Sequence, residues 1–289
     1  MVSIILSTAQ GKTEILEKNI KDTIGIEYEI VKIQNKGKYS LSKAYNIGTQ
    51  QAQYEYLCFI HDDILFRTKD WGKKMVDSFQ NALLSPALIG VIGTEYKSVF
   101  PGPWTCPLNQ YNKGNVEQYF KYKVCEPNRI SYSSGNQLQE VVVVDGMFLF
   151  TTRTILKEIH FFDEKLLGFH CYDIDLALSL YHLGKKIYVD ESILLEHHSE
   201  GKLNNDWFEN QLYLVRKWKT TLPANVLERG KVNYEIEVGS LKRILYLLSA
   251  HQVRFSTKCK FIYFFLTFHK LPIFRYLSLY VKVFQNYLK

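Results

Sequence analysis

Four short stretches of the chain hold residues that could do chemistry. His61-Asp62-Asp63 ends an apolar run abruptly. Carboxylate oxygens suit hard cations such as Mg2+ and Mn2+, and a cation held there can in turn hold a diphosphate. The same residues would also serve as an ordinary solvated turn. Gly168-Phe-His-Cys-Tyr172-Asp173-Ile-Asp175 opens a helical pattern. Asp173 and Asp175 stand two apart, so on a helix they point to different faces. One can face a pocket while the other caps the helix N-terminus, where exposed N–H groups favour carboxylates. A carboxylate there beside a glycine loop can act as a general base, although two plain caps would read the same way. His197-His198 ends another apolar run, and a histidine pair in a chain with an acidic turn offers metal ligands. Asp145-Gly146 closes a run of four valines and reads as a turn or as a substrate contact.

The elements around these stretches alternate. Residues 2–7 read as a buried strand, 13–24 as a helix, 27–33 as a second strand, 40–53 as a helix capped by Ser40 or Ser42, and 56–60 as a third strand. Strands alternating with helices predict an α/β fold with a mostly parallel, doubly wound sheet. Ligands of such sheets bind at the carboxyl ends of strands, where His61-Asp62-Asp63 falls. A helix over 71–84 and a strand over 89–92 follow. Residues 96–138, rich in Pro, Tyr, Asn and Ser, read as an irregular excursion lining a pocket. Then come a strand at 141–144, extended chain at 147–151, a short helix at 153–159, a helix at 173–183, strands at 186–189 and 193–196, and an amphipathic helix at 207–219.

Composition bounds the class. The chain has 289 residues, 46% hydrophobic and 22% charged, which excludes disorder and collagen-like repeats. Its longest aliphatic-aromatic run, 261–268, is too short to span a bilayer, which takes roughly 20 apolar residues. Cys58, Cys106, Cys125, Cys171 and Cys259 form no CxxC pair, which fits a reducing compartment and argues against a cysteine-built zinc site. The N-terminus lacks the basic stretch of a secretory leader, so a cytoplasmic location is expected. Net charge is +7, yet residues 238–289 hold nine bases and no acid, leaving 27 bases against 29 acids before them. That asymmetry points to an anionic partner for the tail. Residues 241–248, 258–268 and 274–287 all allow helices, and their interleaved basic and aromatic residues suit an anionic membrane surface, peripheral on its inner face. A helical cap packed on the rest of the chain is the alternative. No Walker loop, GxGxxG or GxSxG is present, so P-loop, dinucleotide-binding and α/β-hydrolase readings lack motif support.

The order of these features resembles the family-two glycosyltransferases of the GT-A fold. The strand Val2–Ser7, the helix with Lys43-Ala-Tyr-Asn46-Ile-Gly48 and the run Tyr56 to Asp63 look like their nucleotide-binding half. Val144-Asp145-Gly146-Met-Phe-Leu, Phe162 to Asp175 and His197-His-Ser look like their acceptor half. The resemblance covers roughly residues 1–220, with 221–289 as a basic helical extension. It implies a nucleotide-sugar donor, UDP-sugar by family frequency, and a glycan or lipid-linked glycan acceptor, as in surface-polysaccharide biosynthesis. Asp63 would bind Mn2+ or Mg2+ on the donor diphosphate, with His197 or His198 completing the metal site. Ser7, Thr8, Ala9, Asn46, His61 and Asp62 would serve the donor nucleotide; His61 stands where the family more often has Asp. Asp173 would be the catalytic base, with Tyr172 in place of the usual Glu. Asp145, Gly146, Tyr172 and Asp175 would face the acceptor. One direct displacement would invert the anomeric centre, with no covalent intermediate. Two alternatives stand beside this one. A nucleotide-sugar-forming enzyme shares the sheet, although Ala9-Gln10-Gly11-Lys12 only faintly echoes its loop. A membrane- or nucleic-acid-binding adaptor with a degenerate site is allowed by the tail, and the clustering of Asp63, Asp173 and His197 at element ends disfavours it.

Overall fold

Strand and helix alternate from the N-terminus because apolar periodicity switches between two and about four residues. β1 (Val2–Thr8) sends Ile5 to one face of the sheet and Ile4 and Leu6 to the other, and all three are fully buried. α1 (Glu14–Thr23) buries Leu16, Ile20 and Thr23 along one stripe. β2 (Tyr28–Gln34) follows, then α2 (Leu41–Gln51), capped by the Ser40 side chain, which accepts from Lys43 N. α2 lies tight on β1: a Cβ at Gly48 would come within 2.4 Å of Ile5. β3 (Tyr56–Ile60) completes the unit, and β1 pairs in parallel with both β2 and β3. The computed structural model describes residues 1–120, 128–132, 138–199, 201 and 203–267.

β4 (Ile64–Phe66) and α3 (Trp71–Phe79) come next. α3 stops short of the expected 84 because the Asn81 side chain accepts from Leu83 N and Leu84 N and turns the chain. The strand expected at 89–92 is two, β5 (Pro86–Gly90) and β6 (Ile92–Thr94). Among its described residues the expected excursion over 96–138 contains three complete strands: β7 (Tyr96–Lys97), β8 (Asn112–Gln118) and β9 (Asn128–Ser131). The run of valines is likewise shared between β10 (Leu138–Val141) and β11 (Val143–Val144). β12 (Phe148–Thr152), α4 (Arg153–Glu158), α5 (Tyr172–His182), β13 (Lys186–Asp190), β14 (Leu195–His197) and α6 (Asn205–Lys217) follow. β15 (Ala224–Asn225), α7 (Tyr234–Ala250) and α8 (Phe255–Thr267) end the described part.

Among the described residues the central sheet runs β10-β13-β5-β12-β3-β1-β2. It is parallel across β3-β1-β2 and β13-β5, while β12 runs antiparallel to both its neighbours. A second sheet, β11-β6-β8-β14-β4 with β9 beside β8, stands over the carboxyl ends of the first. Both β5/β6 and β10/β11 cross between the sheets at a single residue, Val91 and Val142, each fully buried. Uniformly apolar runs carry no mark of such a crossing, which is why each reads as one strand.

The C-terminal helices pack on the sheet domain. Leu241, Ile244 and Leu248 of α7 and Phe261, Phe264 and Phe265 of α8 belong to the same core as α2, α5 and α6. Burying each phenylalanine contributes about 1.5–3 kcal/mol, so this part of the extension is a packed cap. The helix expected over 274–287 lies outside the described residues.

Candidate active site

A cleft of roughly 920 Å³ opens at the carboxyl ends of β1 and β3, walled by the second sheet and by the start of α5. His61, Asp62 and Asp63 occupy the turn between β3 and β4 on its floor. His197, the last residue of β14, is brought opposite them because β14 pairs antiparallel with β4, His197 against Ile64.

His61, Asp63 and His197 each aim one ligand atom at a common point, all within 4.8 Å of one another. Asp63 Oδ1 lies 3.9 Å from His61 Nδ1 and 3.5 Å from His197 Nε2. The hydrogen bonds behind the rings determine which nitrogen carries the proton. Tyr172 OH donates to Gly146 O at 3.0 Å, so it accepts from His61 Nε2–H at 2.7 Å, leaving the Nδ1 lone pair facing Asp63. Gln118 spends its amide donors on His197 O and Ser199 O, at 3.0 and 2.6 Å. Its Oε1 therefore accepts from His197 Nδ1–H at 3.1 Å, leaving the Nε2 lone pair facing Asp63. Asp63 Oδ1 and His197 Nε2 are buried with no hydrogen-bond partner. Buried polar atoms rarely stay unpartnered, and two neutral imidazoles plus a carboxylate are a suitable donor set for a divalent transition ion. The residues present thus fit a metal.

The three groups also bias one another's charge. Burial works to raise the Asp63 carboxyl, but the facing His197 and His61 rings outweigh it and hold the group below its ordinary value. Burial lowers His61, and the neighbouring His197 lowers it further. Burial also works to lower His197, where Asp63 and Asp145 prevail and raise it.

Asp173 stands in the first turn of α5, whose start is a left-handed residue, Cys171 at φ 68°. Its Oδ2 accepts from Gly146 N at 2.9 Å. Burial first, then the Asp145 carboxylate, push Asp173 up to about 7, against which the surrounding backbone N–H groups act weakly. A carboxyl near neutrality beside a cleft can take up and release protons at working pH. Gly146 cannot be larger, since a Cβ there would meet the Tyr172 hydroxyl at 2.1 Å. Asp145 accepts from Met147 N at 2.9 Å, which holds the turn.

The structure gathers Ser7, Ala9, His61, Asp62 and Asp63 from the nucleotide-binding half around this cleft. Asp145, Gly146, Tyr172, Asp173 and His197 join them from the other half. Four expected residues lie elsewhere. Thr8 is buried and its hydroxyl accepts from Gly11 N. Asn46 binds Phe162 N and O and Glu164, so it staples the loop before Gly168 instead of reaching the donor site. Asp175 turns away from the cleft to Lys217 and the Trp218 ring N–H, each at 2.8 Å. His198 bonds Glu196 and stacks on Tyr119, outside the cluster that holds His197. His61, expected at the nucleotide, sits instead with the candidate ligands. Gln118, Trp104 and Arg243 were not anticipated from sequence. They come from the 96–138 segment and from α7, and no local pattern marks them.

Residues 9–217 match the glycosyltransferase-like family. The streptomycin biosynthesis protein StrF of Streptomyces griseus is 27% identical over 206 residues, 66% of this chain and 66% of that one, just under two thirds of its length. Among solved structures, GalNAc-T7 with UDP, GalNAc and Mn2+ superposes with a TM-score of 0.51 at 11% identity, over 75% of this chain and 48% of that one. Residues 1–349 of S. aureus TarS superpose with a TM-score of 0.50 at 14% identity, over 90% of this chain and 77% of that one. Sheet order, helix placement and these likenesses identify the GT-A fold, and the chain belongs to the glycosyltransferase-like family.

Proposed function

We propose that the protein is an inverting glycosyltransferase that moves a sugar from a UDP-sugar to a hydroxyl of a glycan or lipid-linked glycan. The observation that carries this reading is one cleft holding both a metal-ready triad and a buried carboxyl raised to about 7. GalNAc-T7, solved with UDP and Mn2+, shares the fold and is in keeping with a UDP donor and a divalent ion, Mn2+ or Mg2+, of which a donor set with two imidazoles suits Mn2+ better.

His61, Asp63 and His197 would hold the ion. Bound there, it supplies positive charge to offset that developing on the leaving nucleoside diphosphate. Ser7 and Ala9 at the end of β1 line the donor side. Asp173 takes the proton of the acceptor hydroxyl as its oxygen attacks the anomeric carbon and the bond to the diphosphate breaks on the opposite face. The Gly146 N–H holds the Asp173 carboxylate oriented through the step. Asp145, by raising Asp173, makes it a stronger base when ionised.

Incubation of the chain with a panel of nucleotide-sugars and Mn2+ tests this. Metal-dependent release of UDP, accelerated by an acceptor, is expected, with inverted anomeric configuration by NMR. Retained configuration would sink the single-displacement mechanism, and no nucleotide release from any donor would sink the transferase reading.

The C-terminal region is further proposed to rest on an anionic membrane. No helix of the described residues is long and apolar enough to cross one. Phe255, Tyr263 and Leu266 of α8 are 81, 64 and 57% exposed, among the bases Arg254 and Lys260, which also face Asp206 and Glu209. Exposed rings beside cations suit an interfacial helix. Removal of residues 268–289 together with charge reversal at Arg254 and Lys260 should reduce sedimentation with anionic vesicles; unchanged sedimentation excludes this contact.

A further inference from the structure

The cleft is acidic on one side, where Asp62, Asp63, Asp145 and Asp173 line it. Among the described residues a single arginine and no lysine reach its lining, and that arginine, Arg243, comes from α7 in the extension, outside residues 9–217. α7 turns Ile236, Glu237, Ser240 and Ile244 inward, the spacing of one helix face, and Arg243 borders it. Glu237 accepts from Tyr96 OH, Ser98 Oγ and Val99 N, which locks α7 against the 96–99 segment. The guanidinium is therefore held in place by its helix.

Arg243 Nη1 donates to Thr105 Oγ1 at 2.7 Å and lies 3.5 Å from Thr105 O. A guanidinium has five N–H donors, and Thr105 uses a minority of them. Among the described residues Arg243 makes no ion pair, and no carboxylate acts on its charge. Glu237 is already committed to three other donors. A partly buried guanidinium without a carboxylate is ready to take an anion that a ligand supplies.

Its position indicates which ligand. The ammonium of the buried Lys97 donates to Gly102 O and Pro103 O at 2.7 and 3.1 Å, and Gly102 N donates to Gln211 Oε1 at 2.9 Å, whose Nε2 in turn donates to Cys171 Sγ at 3.2 Å, just before Asp173. Those carbonyls begin the Pro103-Trp104-Thr105 wall of the cleft. The wall that carries Thr105, and through it Arg243, is bonded in this way to the start of α5, where Asp173 stands. Arg243 thus stands on the side of the base, where an acceptor must sit. We propose that Arg243 receives an anionic group of the acceptor, a phosphate or a carboxylate, so that the acceptor is an acidic or phosphorylated sugar. The assignment rests on the transferase reading above and deepens it.

The test uses the full chain with two probes, glucose 1-phosphate and neutral methyl glucoside, titrated by calorimetry with and without UDP and Mn2+. Wild type should bind the phosphorylated probe at least ~10-fold more tightly than the neutral one, as a charge-assisted contact provides. Arg243→Gln should remove that preference, Arg243→Lys should restore part of it, and UDP–Mn2+ affinity should stay the same in both. Equal binding of the two probes by wild type would overturn the proposal. So would an Arg243→Gln variant that loses UDP–Mn2+ affinity instead, because the guanidinium would then serve the donor diphosphate. If wild type fails to bind UDP at all, the transferase reading fails, and the arms without UDP still decide for or against an anion site at Arg243. A thermal melt of each variant identifies any that does not fold, and the salt dependence of wild-type phosphate binding, expected to weaken as salt rises, then decides in its place.

Discussion

The Tyr172 hydroxyl is the least expendable polar atom behind the metal triad, and Tyr172→Phe isolates it. The hydroxyl accepts from His61 Nε2–H at 2.7 Å and donates to Gly146 O at 3.0 Å. Phenylalanine keeps the ring, which packs edge-on against Tyr45 with centroids 5.5 Å apart, and removes only the oxygen. Two buried groups then lose a partner, at a cost of about 1–3 kcal/mol for each left unsatisfied. The proton of His61 is also freed to move to Nδ1, which would turn an N–H toward Asp63 where the lone pair now points. Loss of a partner behind a ligand typically weakens metal binding about 10–100-fold. That range is about 1.4–2.7 kcal/mol, which overlaps the hydrogen-bond figure, so the two routes agree. Calorimetric titration of Mn2+ in the presence of UDP should show binding at least ~10-fold weaker in Tyr172→Phe, and nitrogen NMR of the imidazoles should show His61 sampling the other tautomer. A folded Tyr172→Phe protein with unchanged Mn2+ affinity would refute the reasoning, because the hydroxyl would then have no hold on the ligand.

Further outcomes follow from the same geometry. His197→Ala should abolish Mn2+ binding while His198→Ala leaves it nearly intact, since only His197 shares the cluster with Asp63; equal losses in calorimetry would contradict that separation. Asp63→Ala should eliminate metal-dependent UDP release, whereas an adaptor would retain all its properties, so activity and binding assays on this variant separate the two classes. Asp173→Asn should lose transfer but retain UDP–Mn2+ binding, and the wild-type rate should rise with pH through about 7 as Asp173 ionises. Because its folded value lies above the ordinary carboxylate range, the proton on Asp173 stabilises the native state at low pH, and that contribution fades as pH rises through about 7. Asp173→Asn should therefore melt higher than wild type at pH 8, and a lower melting temperature there would count against the burial argument. Glu237→Ala leaves Tyr96, Ser98 and Val99 without their shared acceptor and should cost about 2–4 kcal/mol in denaturant unfolding.

Legibility from sequence varied with the range of the interactions involved. β1, α1, β2, α2 and β3 could be read to within a residue or two, because each has its own apolar period and a clear cap or turn. The two crossings at Val91 and Val142 could not, because a buried residue between sheets looks the same as one within a strand. β8 and β9 escaped notice for a related reason. Asn112–Gln118 is polar in type yet largely buried, its side chains satisfied by partners outside the strand such as Cys106 and His197. Asn46 and Asp175 show the converse. Both are the right residue types at motif-like positions, but their side chains are used by the 162–164 loop and by α6. The extension reads as separate by charge, and its buried face packs it into the domain core.

By itself the sequence determined the α/β alternation, the acidic turn after β3, the aspartates opening α5 and the basic bias of the tail, since all of these are local in period or composition. The tertiary structure alone decided which histidine joins Asp63 and which atom of each ring faces it. It also raised Asp173 to about 7 and brought the only arginine among the described lining residues into one cleft with four carboxylates. Those properties arise from burial and from partners distant in sequence, such as Tyr172 behind His61 and Gln118 behind His197, and no local pattern encodes contacts of that range.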